Sequence, residues 1–168
     1  MLAERPGEPG GAVAGWWAVS DRPPLPDPFD LARFVAAQDG GGTWDQAVRE
    51  LRAGRKTSHW MWFVFPQVAG LGSSPTAQHY AISGLDEARA YLADATLGPR
   101  LRESSQVLVD LGSRDARAVF GGIDAMKLRS SMTLFAAAAP DEALFAAVLD
   151  QYFAGQRDDA TLRLLGRA

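Results

Sequence analysis

Lys127 opens the string Lys127-Leu-Arg129-Ser130-Ser131-Met-Thr133, which places an amine and two hydroxyls three and four residues apart. On a helix, Lys127, Ser130, Ser131 and Leu134 share one face. That face is polar for one turn and apolar beyond it. A lysine sunk against apolar groups serves as nucleophile or base. Alternatively it holds a phosphate as a point charge, with the hydroxyls as further donors. The plain alternative is an ion pair near a helix start. Of 17 Lys and Arg residues only Lys56 and Lys127 are lysines. In so arginine-biased a chain, a retained lysine points to a task that a guanidinium does not perform.

Lys56 and His59 lead into six large apolar residues, Trp60 to Phe65, followed by Pro66 and Gln67. No single-face period explains such a run, so it must be buried on most sides. Polar groups beside an aromatic floor make a ligand pocket; a capped core helix has the same sequence signature. His59 is a general base near neutral pH or a simple cap. Trp60 and Trp62 stand two apart and cannot share a helical face. One is expected in the core and the other on a pocket wall, where its ring stacks on a base or sugar.

Gly70-Leu-Gly72-Ser-Ser74-Pro75 then precedes a helix whose N-terminal amides suit an anion. A tight turn with a capping serine is the alternative. The string is neither a Walker loop nor a dinucleotide fingerprint. The reading thus assigns catalysis to Lys127 and His59. It assigns ligand binding to Lys56, Trp60, Trp62, Gln67, Gly70, Gly72, Ser74, Tyr80, Ser130 and Ser131. No metal is expected, because His59 and His79 lie far apart without a carboxylate cluster. No cofactor is expected either.

The elements that must position these groups read as helices. Leu31, Phe34, Val35 and Gln38 follow the helical spacing. Thr43-Trp-Asp-Gln46 has the form of a capping box. Ser58 can cap a short helix that Pro66 stops. Ser74-Pro75 starts the helix carrying Gln78, His79 and Tyr80. Ser83, Asp115, Asp124, Pro140-Asp141 and Asp158 open later ones. No alternating strand pattern with a hairpin signal appears. The fold expected is all-α, a single compact bundle of eight or nine short helices. Residues 1–26 hold five of the ten prolines and read as a flexible tail, with Trp16 and Trp17 as its possible docking points. Residues 27–168 form the domain.

At 168 residues and 47% hydrophobic content, one domain with a normal core is expected. A net charge of −3 argues against broad nucleic-acid binding. With no cysteine, disulfides and thiolate chemistry are excluded. No stretch is long and apolar enough to span a bilayer, and no signal peptide is evident. A cytoplasmic protein is expected.

From Asp27 to Leu165 the chain resembles the family called domain of unknown function 1810, sometimes labelled calpastatin-like. The resemblance rests on Asp27-Pro-Phe-Asp-Leu31, Arg33-Phe34, Gln38, Lys56, Ser58 to Phe63, Phe65-Pro66-Gln67, Gly70-Leu-Gly72 and Ser74. It continues through Tyr80-Ala-Ile82, Glu87-Ala88, Tyr91-Leu92, Leu97-Gly98, Arg100-Leu101, Phe120-Gly121, Lys127-Leu128 and Ser130 to Phe135. Ser73 stands where a basic residue is usual, and Ser104 where cysteine is common. The resemblance implies an all-helical fold and brings no activity with it. Ser74-Pro-Thr-Ala-Gln78-His79-Tyr80 is more weakly similar to the helical NAD/ADP-ribose-associated family. Those proteins cleave N-glycosidic bonds, but Gln78 replaces their carboxylate. Two functions follow as expectations. One is binding of a small anionic ligand, a phosphorylated nucleotide or ADP-ribose-like compound. Hydrolysis of an N-glycosyl bond through the Lys127 amine is a further step in that reading. The other is a non-enzymatic helical interaction module.

Overall fold

The computed structural model describes residues 26–166. Most of the expected tail, with Trp16 and Trp17, lies outside the described residues. The helices are α1 (Ala32–Asp39), α2 (Thr43–Arg52), α3 (Met61–Val64), α4 (Pro75–His79), α5 (Leu85–Ala93), α6 (Leu97–Asp110), α7 (Ala116–Phe120), α8 (Gly122–Ala138), α9 (Ala143–Phe153) and α10 (Asp159–Leu164). A 3-10 turn, Gly40–Gly42, joins α1 to α2. The all-α expectation holds. Among the described residues the extended pairing is confined to a single bridge, Val68 to Ile82. With α3, α4 and α7 only four or five residues long, the helix count depends on whether single turns are included.

Helix α8 is the centre of the bundle and packs against α5, α7, α9 and α10. Every residue from Ser130 to Ala138 is buried, because the helix is ringed by neighbours in its second half. Phe34, Trp60, Phe65, Tyr91, Phe135 and Phe145 form the bulk of the core, each fully buried. The rings meet tilted or edge to face, as Phe34 meets Tyr91 at 5.1 Å and 83°.

Several helix starts differ from the sequence reading. Gly42, left-handed at φ 72°, caps α2. The capping box is absent because Thr43 donates back to the Gly40 carbonyl and Gln46 donates to Glu50. Ser58 does not cap α3: Trp60 holds that position and the Ser58 hydroxyl donates to Glu50. Asp124 is not a cap either. Gly121, at φ 79°, both closes α7 and opens α8, so Asp124 falls within the first turn. Helix α9 begins after Glu142, whose carboxylate pairs with Arg102 instead of capping. Ser74, Asp115 and Asp158 do cap α4, α7 and α10 by accepting from backbone amides.

Gly98 lies where α6 passes over the end of α5. A Cβ there would stand 2.1 Å from the Leu92 carbonyl oxygen. Gly98→Ala is therefore expected to cost about 1–3 kcal/mol through overpacking. Urea denaturation would read this as a lower midpoint at unchanged slope; an unchanged midpoint would show that the helices separate freely.

Candidate functional site

One carboxylate collects both lysines of the chain. Lys56 Nζ lies 2.8 Å from Asp124 Oδ2 and Lys127 Nζ lies 3.2 Å from Asp124 Oδ1. Each ammonium also sits over an indole. Lys127 is 4.4 Å from the Trp62 ring centre and Lys56 is 5.0 Å from that of Trp60. Lys56 donates further to the Ser58 carbonyl at 2.6 Å. Burial pushes the Asp124 carboxyl up, but the two ammonium groups outweigh it and hold the carboxyl below its ordinary range.

Two concavities flank this triad. The first has a volume of about 400 Å³, within the size range of small-molecule sites. Its walls are the loop Gln67–Gly72, the end of α4 with Tyr80, and Lys127 and Ser130 of α8. Trp62 closes one side and Asp158 another. The second, also about 400 Å³, is formed by Lys56, His59, Phe120 and the first turn of α8. Trp62, Ile123 and Lys127 belong to both and form the saddle between them. Ile123 and Met126 on the rim are 74% and 70% exposed.

The loop that forms the first wall is held by the backbone. Ala69 donates to the Ile82 carbonyl and Ile82 to that of Gln67, each at 2.8 Å. Gly70 (φ 103°) packs under Leu164 of α10, and a Cβ on Gly72 would stand 2.5 Å from that of Ala77. Gly70 is thus required by its left-handed backbone and Gly72 by close packing. The alternative expected there, a tight turn with a capping serine, is present. Helix α4 has five residues, and the Ser74 hydroxyl accepts from the Ala77 amide at 3.1 Å.

A buried carboxylate that the sequence reading passed over organises the approach to the site. Glu50 accepts from the Thr57 and Ser58 amides, the Ser58 hydroxyl, Gln46 and Trp60 Nε1. Burial pushes its carboxyl up, but donation from Ser58, Thr57, Gln46 and Trp60 outweighs this and holds it far below the ordinary carboxylate range. These bonds fix the segment from Lys56 to Trp60 and so place Lys56.

Of the residues expected to bind or react, Lys127, Trp62, Gln67, Gly70, Gly72, Tyr80 and Ser130 line the first chamber. Lys56 and His59 join Lys127 in the second. Three stand elsewhere. Trp60 is fully buried, its indole N–H donating to Glu50. Ser74 is a cap. Ser131 is enclosed in the core, because α8 is surrounded at that level. The Ser130 hydroxyl donates to the Met126 carbonyl and lies 3.1 Å from Asp158 Oδ2, so it is already engaged. Asp124, Ile123, Met126 and Asp158 were not expected on the walls. Of these, only Asp124 left a signal, an acid three residues before Lys127. Among the described residues no group of three or more His, Asp or Glu is placed to hold a metal ion. No described helix is long and apolar enough to cross a membrane.

The chain is similar to the conserved hypothetical protein Rv1873 from Mycobacterium tuberculosis, whose crystal structure aligns with a TM-score of 0.80 at 51% identity. The match covers 83% of this chain and 99% of that one. None of the curated proteins matches the chain. Neither finding points to the ADP-ribose-associated family. The profile of a family described as "Protein of unknown function (DUF1810)" matches residues 28–165, and the chain belongs to that family.

Proposed function

We propose that this protein binds a small ligand with a flat ring and an anionic group, of the nucleotide or ADP-ribose-like class, in the cavity beside Lys127. The observation that carries the reading is the Lys127 ammonium held 4.4 Å over Trp62 on the wall of a cavity otherwise mostly apolar. A cation and an indole side by side recognise an anion attached to a ring.

The geometry favours binding over bond cleavage. A lysine nucleophile needs a neighbour to take its proton. Asp124 is a poor acceptor, because two ammonium groups hold its carboxyl below the ordinary range. Asp158 Oδ2 already accepts from the Thr161 amide and hydroxyl. The exposed rim residues Ile123 and Met126 favour a second reading, a docking face for another protein.

Thermal-shift titration with AMP and ADP-ribose tests the first reading. Saturating ligand at about 100 Kd adds about 2.7 kcal/mol, a rise of about 5–10 °C for a chain of this size. Lys127→Met keeps the stem's packing and is expected to fold while losing most of that rise. Lys127→Arg is expected to retain part of it, since anion binding tolerates a guanidinium. A Lys127→Met protein with the full rise places the site elsewhere. No rise with any nucleotide leaves the docking face.

A further inference from the structure

We infer that the anionic end of the ligand sits in the second chamber, against Lys56, Lys127 and His59, while its ring lies in the first. The ligand then straddles the saddle of Trp62 and Ile123. This rests on the reading that the site takes a ring-bearing anion, and it specifies the orientation and the chemistry, a phosphate monoester.

Charge separates the two chambers. The first carries one cation, Lys127, and one carboxylate, Asp158. The second carries two cations, Lys56 and Lys127, against the single carboxylate Asp124, and adds His59. An anion in the first chamber meets Asp158. In the second it meets a net positive cluster whose one carboxylate is shared by both ammonium groups. Such charge, partly removed from water, is screened less than at the surface.

Lys127 lies on both walls, with its ammonium beside Asp124 and over Trp62. Ile123 lies on both walls too, and at 74% exposure it is an unusual aliphatic group for the first turn of a helix. A ligand laid across the saddle covers it. The first turn of α8 has no side-chain cap, and the N-terminal end of a helix carries a partial positive charge. Lys56, only 7% exposed, is fixed by Asp124, Ser58 and Trp60 and is preorganised for the same anion.

Gly122 gives a clean test. It opens α8 and lines the second chamber but not the first. A Cβ there meets nothing within 4 Å, and its φ is not in the left-handed range. Gly122→Asp adds a carboxylate on the wall of the second chamber, yet an acid in a helix first turn favours folding. The experiment is calorimetric titration of the full chain with AMP and with adenosine. Wild type is expected to bind AMP about 10-fold tighter than adenosine. In Gly122→Asp that ratio should fall to about 1 with adenosine affinity and melting temperature held. His59→Ala, at an exposed position, should weaken AMP about 3-fold and leave adenosine unchanged. An AMP preference that survives in both variants overturns the inference and puts the phosphate in the first chamber, leaving the proposed function intact. Equal binding of AMP and adenosine by wild type overturns it as well. Binding of neither removes the proposed function along with it.

Discussion

Replacing Glu50 with alanine is expected to cost about 3–5 kcal/mol, the range for removing one partner from a buried charged network. The carboxylate is 5% exposed and satisfies two backbone amides, a hydroxyl, an amide side chain and an indole. Its removal orphans these donors around a fully buried Trp60. For a chain of this size the melting temperature should drop by about 10 °C or more. Glu50→Gln should recover little, because an NH2 group would face other donors. The same residue predicts an acid response. Its native carboxyl titrates below its unfolded value of about 4.3. The stabilisation is therefore complete above that value and is lost as pH falls towards the native one. Denaturant melts at pH 7 and pH 3 should show wild type losing more stability than Glu50→Gln. Equal losses would mean that Glu50 is not ionised in the folded chain.

Arg33→Met is the second large effect. The guanidinium pairs with Glu87 at 2.7 Å, with side chains 11% and 4% exposed. It also donates to the carbonyls of Phe29, Asp30, His79 and Ala81. Methionine keeps part of the volume and leaves Glu87 buried without its cation and the part-buried Phe29 and Ala81 carbonyls without their donor, at a cost of about 3–5 kcal/mol. The loss should not stay local. His79 and Ala81 bracket Tyr80, a wall of the first chamber, so any AMP-induced thermal shift should shrink too. In Arg33→Met with Glu87→Leu the uncompensated charge is gone, and stability should return in part. If the double variant is no better than the single one, the cost lies in the carbonyls and not in the ion pair.

The helical periods and several caps were readable from the chain because they are local. Ser74-Pro75, Asp115 and Asp158 act within three residues of themselves. The buried aromatic run was readable as well: Trp60, Met61, Val64 and Phe65 are buried while Trp62 and Phe63 are half-buried. What the chain did not disclose is which way each member points. Ser130 and Ser131 are equally polar neighbours, yet one reaches the cavity edge and the other the core, since rotation about α8 is set by α5, α9 and α10. The Gly70-Leu-Gly72 string reads equally as an anion loop and as a packed turn, because packing glycines and amide-presenting glycines are the same letters. Glu50 gave no signal at all. Apart from Gln46 its donors come from a segment several residues downstream, and one acid on an amphipathic helix reads as solvent-facing.

Helix α8 has one end at the saddle and the other in the middle of the bundle. Ile123, Asp124 and Lys127 occupy its first two turns, and from Ser130 onward it is enclosed. Its 17 residues span about 25 Å. Fraying of the first turns is the inexpensive motion of such a rod, and Asp124 with its two lysines is the clamp that opposes it. A ligand on the saddle would act on the same two lysines and so bias the same equilibrium. Occupancy and amide protection in the first turns of α8 are then two readouts of one local equilibrium, without any hinge or domain movement.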